Sequence, residues 1–381
     1  MRKVIEIIKQ IFKTRIVKIV VGLFLFFLIV GIILAVSFNA RCSSVQPNFK
    51  TINDQIPEQI KIAENNIQNY SRTEETTYLS FPEWYLVFNP QEYGIYIGAH
   101  KPSEFPYFTS IHQFWSGYCD VYGITKKNYP FNGGDHLTEV VIGTSFTVEY
   151  GIKGAWENTV GRISEWTADG EQTEEDFFAA KVAQDYGNFI PTKPWYEFPF
   201  GQRFGQLWTQ TPFFGQHFLR KIERKIFLSF EYGMKSVYAL VIRVATHAVY
   251  GVADTEVYVS ATHVPDSIFQ NPQIRMVSDL GNDKYIIAVP HYQGFTDTVP
   301  GLAMKGLLFV DIAGNDEILV TAVAPQSWKF DLPDGSLLFT MNMMTDDSQK
   351  RIVLQVPVRS LGQILIQLKT EEVRIEHLYD Y

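Results

Sequence analysis

The clearest hydrophobic pattern along the chain is an uncharged run near the N-terminus, from Ile19 to Phe38. At about 1.5 Å of rise per residue, a helix of this length spans about 30 Å, the thickness of a bilayer core. The run predicts a transmembrane helix over residues 19–38. The lipid bilayer is therefore the first expected partner of the chain.

The charge around this run predicts its orientation. Residues 1–18 contain six Lys or Arg and one Glu, a charge of +5, so the overall charge of −8 leaves −13 for the remainder. Positive flanks stay in the cytoplasm, which predicts a cytoplasmic basic tail over 1–18 and an extracytoplasmic bulk. A cleaved signal peptide is the alternative, with Ala35-Val36-Ser37 as its small-residue site. The length of the apolar run favours a retained signal-anchor in the cell membrane.

A second apolar stretch, residues 236–252, contains Arg243 and His247, and each is costly inside a bilayer. These two residues continue an i, i+4 series that begins at Glu231 and Lys235. The series places the polar side chains on one helix face. A long amphipathic helix, packed on the protein or lying near the membrane surface, is favoured over a second crossing.

The remaining pattern divides the chain into three segments. Residues 39–75 are polar and read as a tether with some helix over 57–70. Residues 76–252 form an aromatic-rich, mainly helical domain with six of the seven tryptophans. Within it we expect helices near 82–88, 111–122, 174–186 and 213–250, a β-branched strand over 138–150, and an irregular loop over 193–205.

From residue 253 to 381 the pattern changes to short apolar runs separated by turn residues, which are typical of strands. Two segments, 285–312 and 351–377, each read as a strand ending in Val-Pro, then a helix, then another strand. This weak internal duplication predicts a split βαβ arrangement of ferredoxin-like type. The expected fold class is therefore α+β. Strands are expected at 256–262, 285–289, 307–312, 318–323, 337–341 and 352–356.

Composition narrows the function classes. The net charge of −8 argues against nucleic acid, because phosphate binding needs Lys and Arg. Two cysteines, Cys42 and Cys119, exclude a four-cysteine zinc site, and the sequence leaves open whether they pair. The common phosphate-, dinucleotide- and zinc-binding motifs and the nucleophile elbow are not found. The sequence thus indicates no particular cofactor.

Tryptophan beside glutamate is a recurring pattern in the aromatic-rich part. A carboxyl group against an aromatic wall is desolvated, which raises its pKa, and aromatic faces stack on sugar rings. This pattern makes an envelope glycoside hydrolase a coherent hypothesis. The alternative is that the tryptophans supply core area and the glutamates are incidental neighbours. The candidate catalytic residues are Glu83, Glu157 and Glu165, and the candidate ligand-binding residues are Trp84, Trp156, Trp166 and Trp195.

A candidate metal site centres on His136 and Glu139, which share a face if the segment is helical. The preceding Asn132-Gly133-Gly134 instead favours a loop that enters a strand. On that alternative, Asp135 makes a turn and His136 is exposed.

A local basic cluster stands out in an otherwise acidic ectodomain. Its residues are interleaved with apolar side chains, as in helices that lie on anionic membranes. The alternative is an ordinary solvated helix face, with Glu223 and Glu231 pairing along it. The candidate membrane-surface residues are Arg220, Lys221, Arg224 and Lys225.

Together these patterns favour a single-pass, membrane-anchored extracytoplasmic binding or accessory protein. Its aromatic-rich part would bind an amphiphilic ligand or a membrane-protein partner. The hydrolase and the metal-binding protein remain as alternative hypotheses.

Overall fold

The computed structural model describes Cys42 and residues 56–73, 75–249 and 255–381. The predicted cytoplasmic tail and transmembrane helix lie outside these residues. Among the residues that are described, no helix is both long and apolar enough to cross a membrane. The fold class is α+β, because helices dominate the described chain up to Val249 and two antiparallel sheets follow.

The helical part begins with a short helix in the tether and continues with longer ones. A π-helical turn, Glu157–Gly161, joins the fourth helix to the fifth. The helices described up to Val249 are α1 (Glu58–Glu64), α2 (Thr76–Ala99), α3 (Tyr107–Asn128), α4 (Gly133–Trp156), α5 (Arg162–Thr167), α6 (Glu174–Phe189), α7 (Phe200–Gln210) and α8 (Phe218–Val249).

The strand predicted over 138–150 from its β-branched residues is wrong, because helix α4 covers this segment. Its buried positions recur every three or four residues, from His136 and Glu139 to Phe146 and Tyr150, as a helix face requires. The Asn132 side chain caps the helix by accepting a hydrogen bond from the Asp135 N–H at 3.2 Å. Packing on one face therefore overrides the local β propensity.

The loop expected over 193–205 is also partly wrong. It contains a 3-10 turn, Trp195–Glu197, and the first half of α7, which begins at Phe200. The glycines of this stretch lie within α7 and do not interrupt it.

Helices α2 and α6 cross at small residues. A Cβ on Gly94 of α2 would lie 2.9 Å from the carbonyl oxygen of Ala183 in α6. A Cβ on Gly187 of α6 would lie 3.0 Å from the Cα of Gln91 in α2. The two glycines let the helix backbones approach closely.

The two sheets have the same strand order. The order is β2-β3-β1-β4 in sheet A and β6-β7-β5-β8 in sheet B, and every neighbouring pair is antiparallel. In each sheet a helix joins the last two strands and so passes the strand that lies between them. The elements are β1 (Glu256–Thr262), β2 (Arg275–Gly281), β3 (Lys284–Pro290), α9 (Gln293–Met304), β4 (Leu308–Ile312), β5 (Glu317–Pro325), β6 (Ser336–Asn342), β7 (Gln349–Pro357), α10 (Leu361–Thr370) and β8 (Arg374–Leu378).

Both faces of sheet B are buried. Alternate residues of a strand point to opposite faces, so each strand contributes to two cores. On β5, Val320 and Ala322 join the core that the two sheets share with α9 and α10. Leu319, on the opposite face, joins the aromatic core of α2 and α3. The change near residue 252 is therefore a change of secondary structure and not a break in the packing.

Buried polar links also join the helices to sheet B. Arg351 of β7 pairs with Glu92 of α2 at 2.6 Å and with Glu376 of β8 at 2.5 Å. Tyr78 of α2 donates a hydrogen bond to Glu317 of β5. These contacts hold α2 in a fixed position on the sheet.

A disulfide joins Cys42 to Cys119 of α3. It answers the question that the sequence left open about these two cysteines. The bond ties the chain just beyond the predicted membrane span to the aromatic core.

Candidate functional site

A cavity of about 820 Å³ lies between α2, α4, α6 and α8, with part of its wall supplied by residues 291–294 and Tyr381. Pockets that bind small molecules have volumes of roughly 300–1,000 Å³. Most of the wall is apolar or aromatic, and charged groups converge on it. Its aromatic side chains include Trp84, Phe146, Tyr186, Trp195, Phe200 and Tyr238.

His291 and Asp380 form a buried pair at the wall of this cavity. The His291 Nδ1 atom lies 2.5 Å from the Asp380 Oδ2 atom. Burial raises the pKa of Asp380, and the neighbouring His291 opposes that shift. An imidazole whose Nδ1 is held by a carboxylate has its other ring nitrogen left for a ligand or a proton transfer.

Tyr292, the next residue, has a positive φ of 59°. Such a backbone is costly for a side chain of this size and persists only where the surroundings impose it. The Tyr292 N–H donates to the same Asp380 Oδ2 at 2.9 Å, and its ring stacks on His291 with centroids 3.7 Å apart. Asp380 therefore fixes both the imidazole and the strained turn that starts α9.

His377 lies behind this pair and stacks on Trp84, with ring centroids 3.3 Å apart. Its Nδ1 is 2.9 Å from the hydroxyl of Thr296. Burial, reinforced by His291, holds the pKa of His377 well below its usual value, so the ring is neutral. A neutral ring packs against the indole without a desolvated charge.

Glu83, which the sequence proposed as catalytic, lines the cavity and interacts with Glu139 of α4. Burial raises the pKa of both carboxyls, and the charge of Glu83 raises that of Glu139 further. Two interacting carboxyls do not ionise independently, and the pKa of the buried Glu139 is the one that lies well above its usual value.

The opposite wall carries alternating charges on α4 and α8. Lys153 pairs with Glu231 at 2.9 Å, and Lys235 pairs with Glu231 at 3.1 Å and with Glu149 at 2.7 Å. Burial alone would raise the pKa of Glu231, but the two lysines together lower it to about 2. These charges are thus compensated within the wall.

Glu157 also lines the cavity, at the start of the π-helical turn. Arg224 binds both its carboxyl oxygens, at 2.8 and 2.9 Å. Burial raises the pKa of Glu157 while Arg224 opposes the shift. Glu165, the third candidate, is not part of the wall and instead accepts from the Ser103 hydroxyl at 2.5 Å.

The four basic residues predicted to face a membrane are interior in this structure. Each is buried, which corrects the expectation that they form an exposed cationic face. Local carboxylates neutralise them, so none of the four presents its charge to solvent in this conformation. The ion pairs are Arg220 with Asp176 at 2.6 Å, Lys221 with Glu175 at 3.3 Å, Arg224 with Glu157 at 2.8 Å and Lys225 with Glu175 at 3.2 Å.

The four tryptophans proposed as ligand contacts separate into two groups. Trp84 and Trp195 line the cavity. Trp156 stacks on Phe227 of α8 and donates its N–H to Glu223 at 2.6 Å, which is a packing role. Trp166 is 71% exposed and lies outside the wall.

The proposed metal ligands His136 and Glu139 are both buried on α4, one turn apart. His136 lies 3.2 Å from the Tyr118 hydroxyl and stacks on Phe131, while Glu139 interacts with Glu83. Within the described part of the chain, no group of three His, Cys, Asp or Glu side chains could hold a metal ion. The metal site stays a prediction without a third ligand.

His291, His377 and Asp380 are not among the candidate residues that the sequence indicated. The pattern that could have drawn attention to them is the polar cluster in the final residues, from Glu376 to Tyr381. These residues meet His291 only because β8 and α9 lie side by side, which no local pattern predicts.

Comparisons with known proteins add no functional assignment. No family model matches this chain, and the comparisons with curated proteins and with solved structures found no match. The function must therefore be argued from the site itself.

Proposed function

We propose that this is a single-pass, membrane-anchored extracytoplasmic protein whose cavity binds an amphiphilic ligand. The observation that carries the proposal is the cavity of about 820 Å³, with aromatic walls and a polar end formed by Glu83 and His291. An apolar ligand body fits the aromatic part, and a hydrogen-bonding headgroup fits the polar end.

The proposed location rests on two observations. Residues 19–38 have the length and composition of a membrane span with a basic flank. The Cys42–Cys119 disulfide fits an oxidising compartment, since such bonds are rare in the cytosol.

We further propose that the two sheets are a duplicated ferredoxin-like unit. Support comes from the shared strand order and from the split βαβ connection in each sheet. Between β1 and β2 a 3-10 turn, Asp266–Gln270, replaces the first helix of that arrangement. This unit forms one wall of the cavity and is expected to hold His291 and Asp380 in register.

The test uses the full chain in lipid nanodiscs with a diazirine-bearing palmitic acid as the probe. Irradiation should label cavity residues such as Tyr186 and Tyr238, as mapped by mass spectrometry. Ala179→Trp fills the cavity and should abolish this labelling. Ala155→Trp, at an exposed position on α4, is the matched control and should keep it.

Labelling confined to surface residues, or unchanged in Ala179→Trp, would contradict ligand binding in the cavity. Circular dichroism melts of both variants establish that they are folded. If Ala179→Trp does not fold, Val182→Trp at the neighbouring wall position takes its place.

A glycoside hydrolase is the second candidate, because Glu83 and Glu157 line the same cavity. Arg224 already occupies both oxygens of Glu157, which weakens it as a nucleophile or base. Release of reducing sugar from envelope glycans by the full chain, lost in Glu83→Gln and kept in Glu165→Gln, would support this candidate. No release by the wild-type chain would discard it.

A further inference from the structure

The disulfide restricts how far the folded part can move from the proposed anchor. Four residue steps separate Phe38, the end of the predicted span, from Cys42. A fully extended chain covers at most about 3.6 Å per residue, so Cys42 lies within about 14 Å of that end. Through its bond to Cys42, Cys119 of α3 is held at a similar distance from the bilayer.

The surface next to Cys119 is apolar. Tyr118, its neighbour on α3, contacts His136 of α4, and Phe131 stacks on the same imidazole. On the outside of this contact, Phe131, Leu137 and Val141 are 69%, 64% and 55% exposed. Leu137 and Val141 are one helical turn apart and therefore share a face.

Helix α8 brings a second apolar set to the same end of the bundle. The pairs Lys153–Glu231 and Glu149–Lys235 show that α8 runs antiparallel to α4. The later residues of α8 therefore extend toward the same end of the bundle as the earlier residues of α4. Among them Val237, Leu240 and Val241 are 62%, 60% and 57% exposed.

We infer that these six side chains form a membrane face that rests on the outer surface of the bilayer holding residues 19–38. The face consists of Phe131, Leu137, Val141, Val237, Leu240 and Val241. This inference rests on the membrane anchor of the proposed function.

Two further observations select lipid as the occupant of this face. The short link from the span to Cys42 keeps the face near the bilayer at all times, whereas a protein partner would have to enter that gap. Lys126 and Lys127, exposed in the last turn of α3, place positive charge beside the face, as helices on anionic lipid surfaces do.

The test places a photo-crosslinking benzophenone amino acid at position 137 or 240 of the full chain in nanodiscs that contain anionic lipid. The matched control is position 366. Ile366 is also exposed, at 47%, but α10 lies on the opposite side of sheet B from the helices. Lipid adducts are expected at 137 and 240, and only background at 366.

Each outcome has one interpretation. Adducts to a second copy of the chain, or background at 137 and 240 as well, would overturn the membrane face. Extraction of the same membranes with alkaline carbonate tests the anchor separately. Retained chain without lipid adducts refutes this inference alone, whereas released chain refutes the anchor on which it rests.

Discussion

His291 and Asp380 are 89 residues apart in sequence, yet the Nδ1 and Oδ2 atoms lie 2.5 Å apart in the wall of the cavity. The same Asp380 oxygen accepts the N–H of Tyr292, whose backbone has a positive φ. One carboxylate thus sets the orientation of the imidazole and holds the turn that begins α9. The position of His291 at the polar end of the cavity depends on this single group.

Asp380→Ala should destabilise the protein by about 2–5 kcal/mol, because the buried His291 ring and the Tyr292 N–H both lose their hydrogen-bond partner. Thermal or denaturant unfolding of the full chain in nanodiscs measures the change. Asp297→Ala is the control: Asp297 is exposed and accepts one hydrogen bond from Gln293. Its effect should stay within about 0.5 kcal/mol, and equal losses in the two variants would contradict the role given to Asp380.

The Glu83–Glu139 pair predicts a pH dependence. Because the pKa of Glu139 is raised well above its usual 4.5 in the folded state, its contribution to stability is complete below pH 4.5. That contribution is lost as the pH rises through the folded pKa, since the unfolded state then releases the proton more readily. Glu139→Gln removes the proton release, so its melting temperature should fall less than that of wild type between acidic and alkaline pH.

Glu149→Gln is the control for the pH series, since Glu149 lies on the same helix and ion-pairs with Lys235. It should leave the alkaline loss of stability in place. If wild type and Glu139→Gln have parallel pH profiles, then the raised pKa of Glu139 is not the cause of the alkaline loss of stability.

The sequence predicts several strands well, because short apolar runs between turn residues mark them. The strand at 256–262 coincides with β1, and those at 318–323 and 352–356 lie within β5 and β7. Helix α4 was missed because β-branched residues on it pack against helices instead of strands. The buried residues of α4 do recur at helical spacing in the sequence. The β propensity of its Val, Ile and Thr residues outweighed that spacing in the prediction.

The site was only partly predictable. Glu83, Glu157, Trp84 and Trp195 were proposed from their local sequence, and all four line the cavity. The partner of Glu83 lies 56 positions away on α4, and that contact depends on packing between helices. The prediction that the basic residues of α8 face a membrane was wrong for the same physical reason. Asp176 and Glu157, which pair with Arg220 and Arg224, lie far from them in sequence.

Two glycine substitutions should have opposite effects on stability, because only one of the two glycines lies at the close crossing of α2 and α6. Gly94→Ala forces a methyl group against the backbone carbonyl of Ala183 and should cost about 1–3 kcal/mol. Gly151→Ala, in the middle of α4 with no atom in reach, should stabilise by about 0.5–1 kcal/mol through helix propensity. Denaturant unfolding compares them, and a stabilising Gly94→Ala would show that the helices do not cross this closely.

The two buried ion pairs of Arg351 hold α2 on sheet B, so we expect the loss of the Arg351 charge to destabilise the protein. Arg351→Met leaves Glu92 and Glu376 buried together without a cation and should cost about 3–5 kcal/mol. Adding Glu92→Gln should recover part of the loss. Arg275→Met, which removes an exposed pair with Glu256, should cost under about 1 kcal/mol, and a similar loss at both arginines would argue against the buried link.

The Cys42–Cys119 disulfide leads to two expectations: it stabilises the folded protein, and the folded part lies in an oxidising compartment. The two residues are 77 positions apart, so Cys119→Ser should destabilise the protein by about 2–4 kcal/mol, mainly by freeing the unfolded chain. A reducing agent should lower the melting temperature of wild type and leave that of Cys119→Ser unchanged. Because both cysteines are buried, membranes from cells are denatured before a maleimide is added. Neither cysteine of the wild-type protein should then be labelled unless a reductant is added first. Labelling without reduction would mean that the thiols are free and would contradict an oxidising compartment for the folded part.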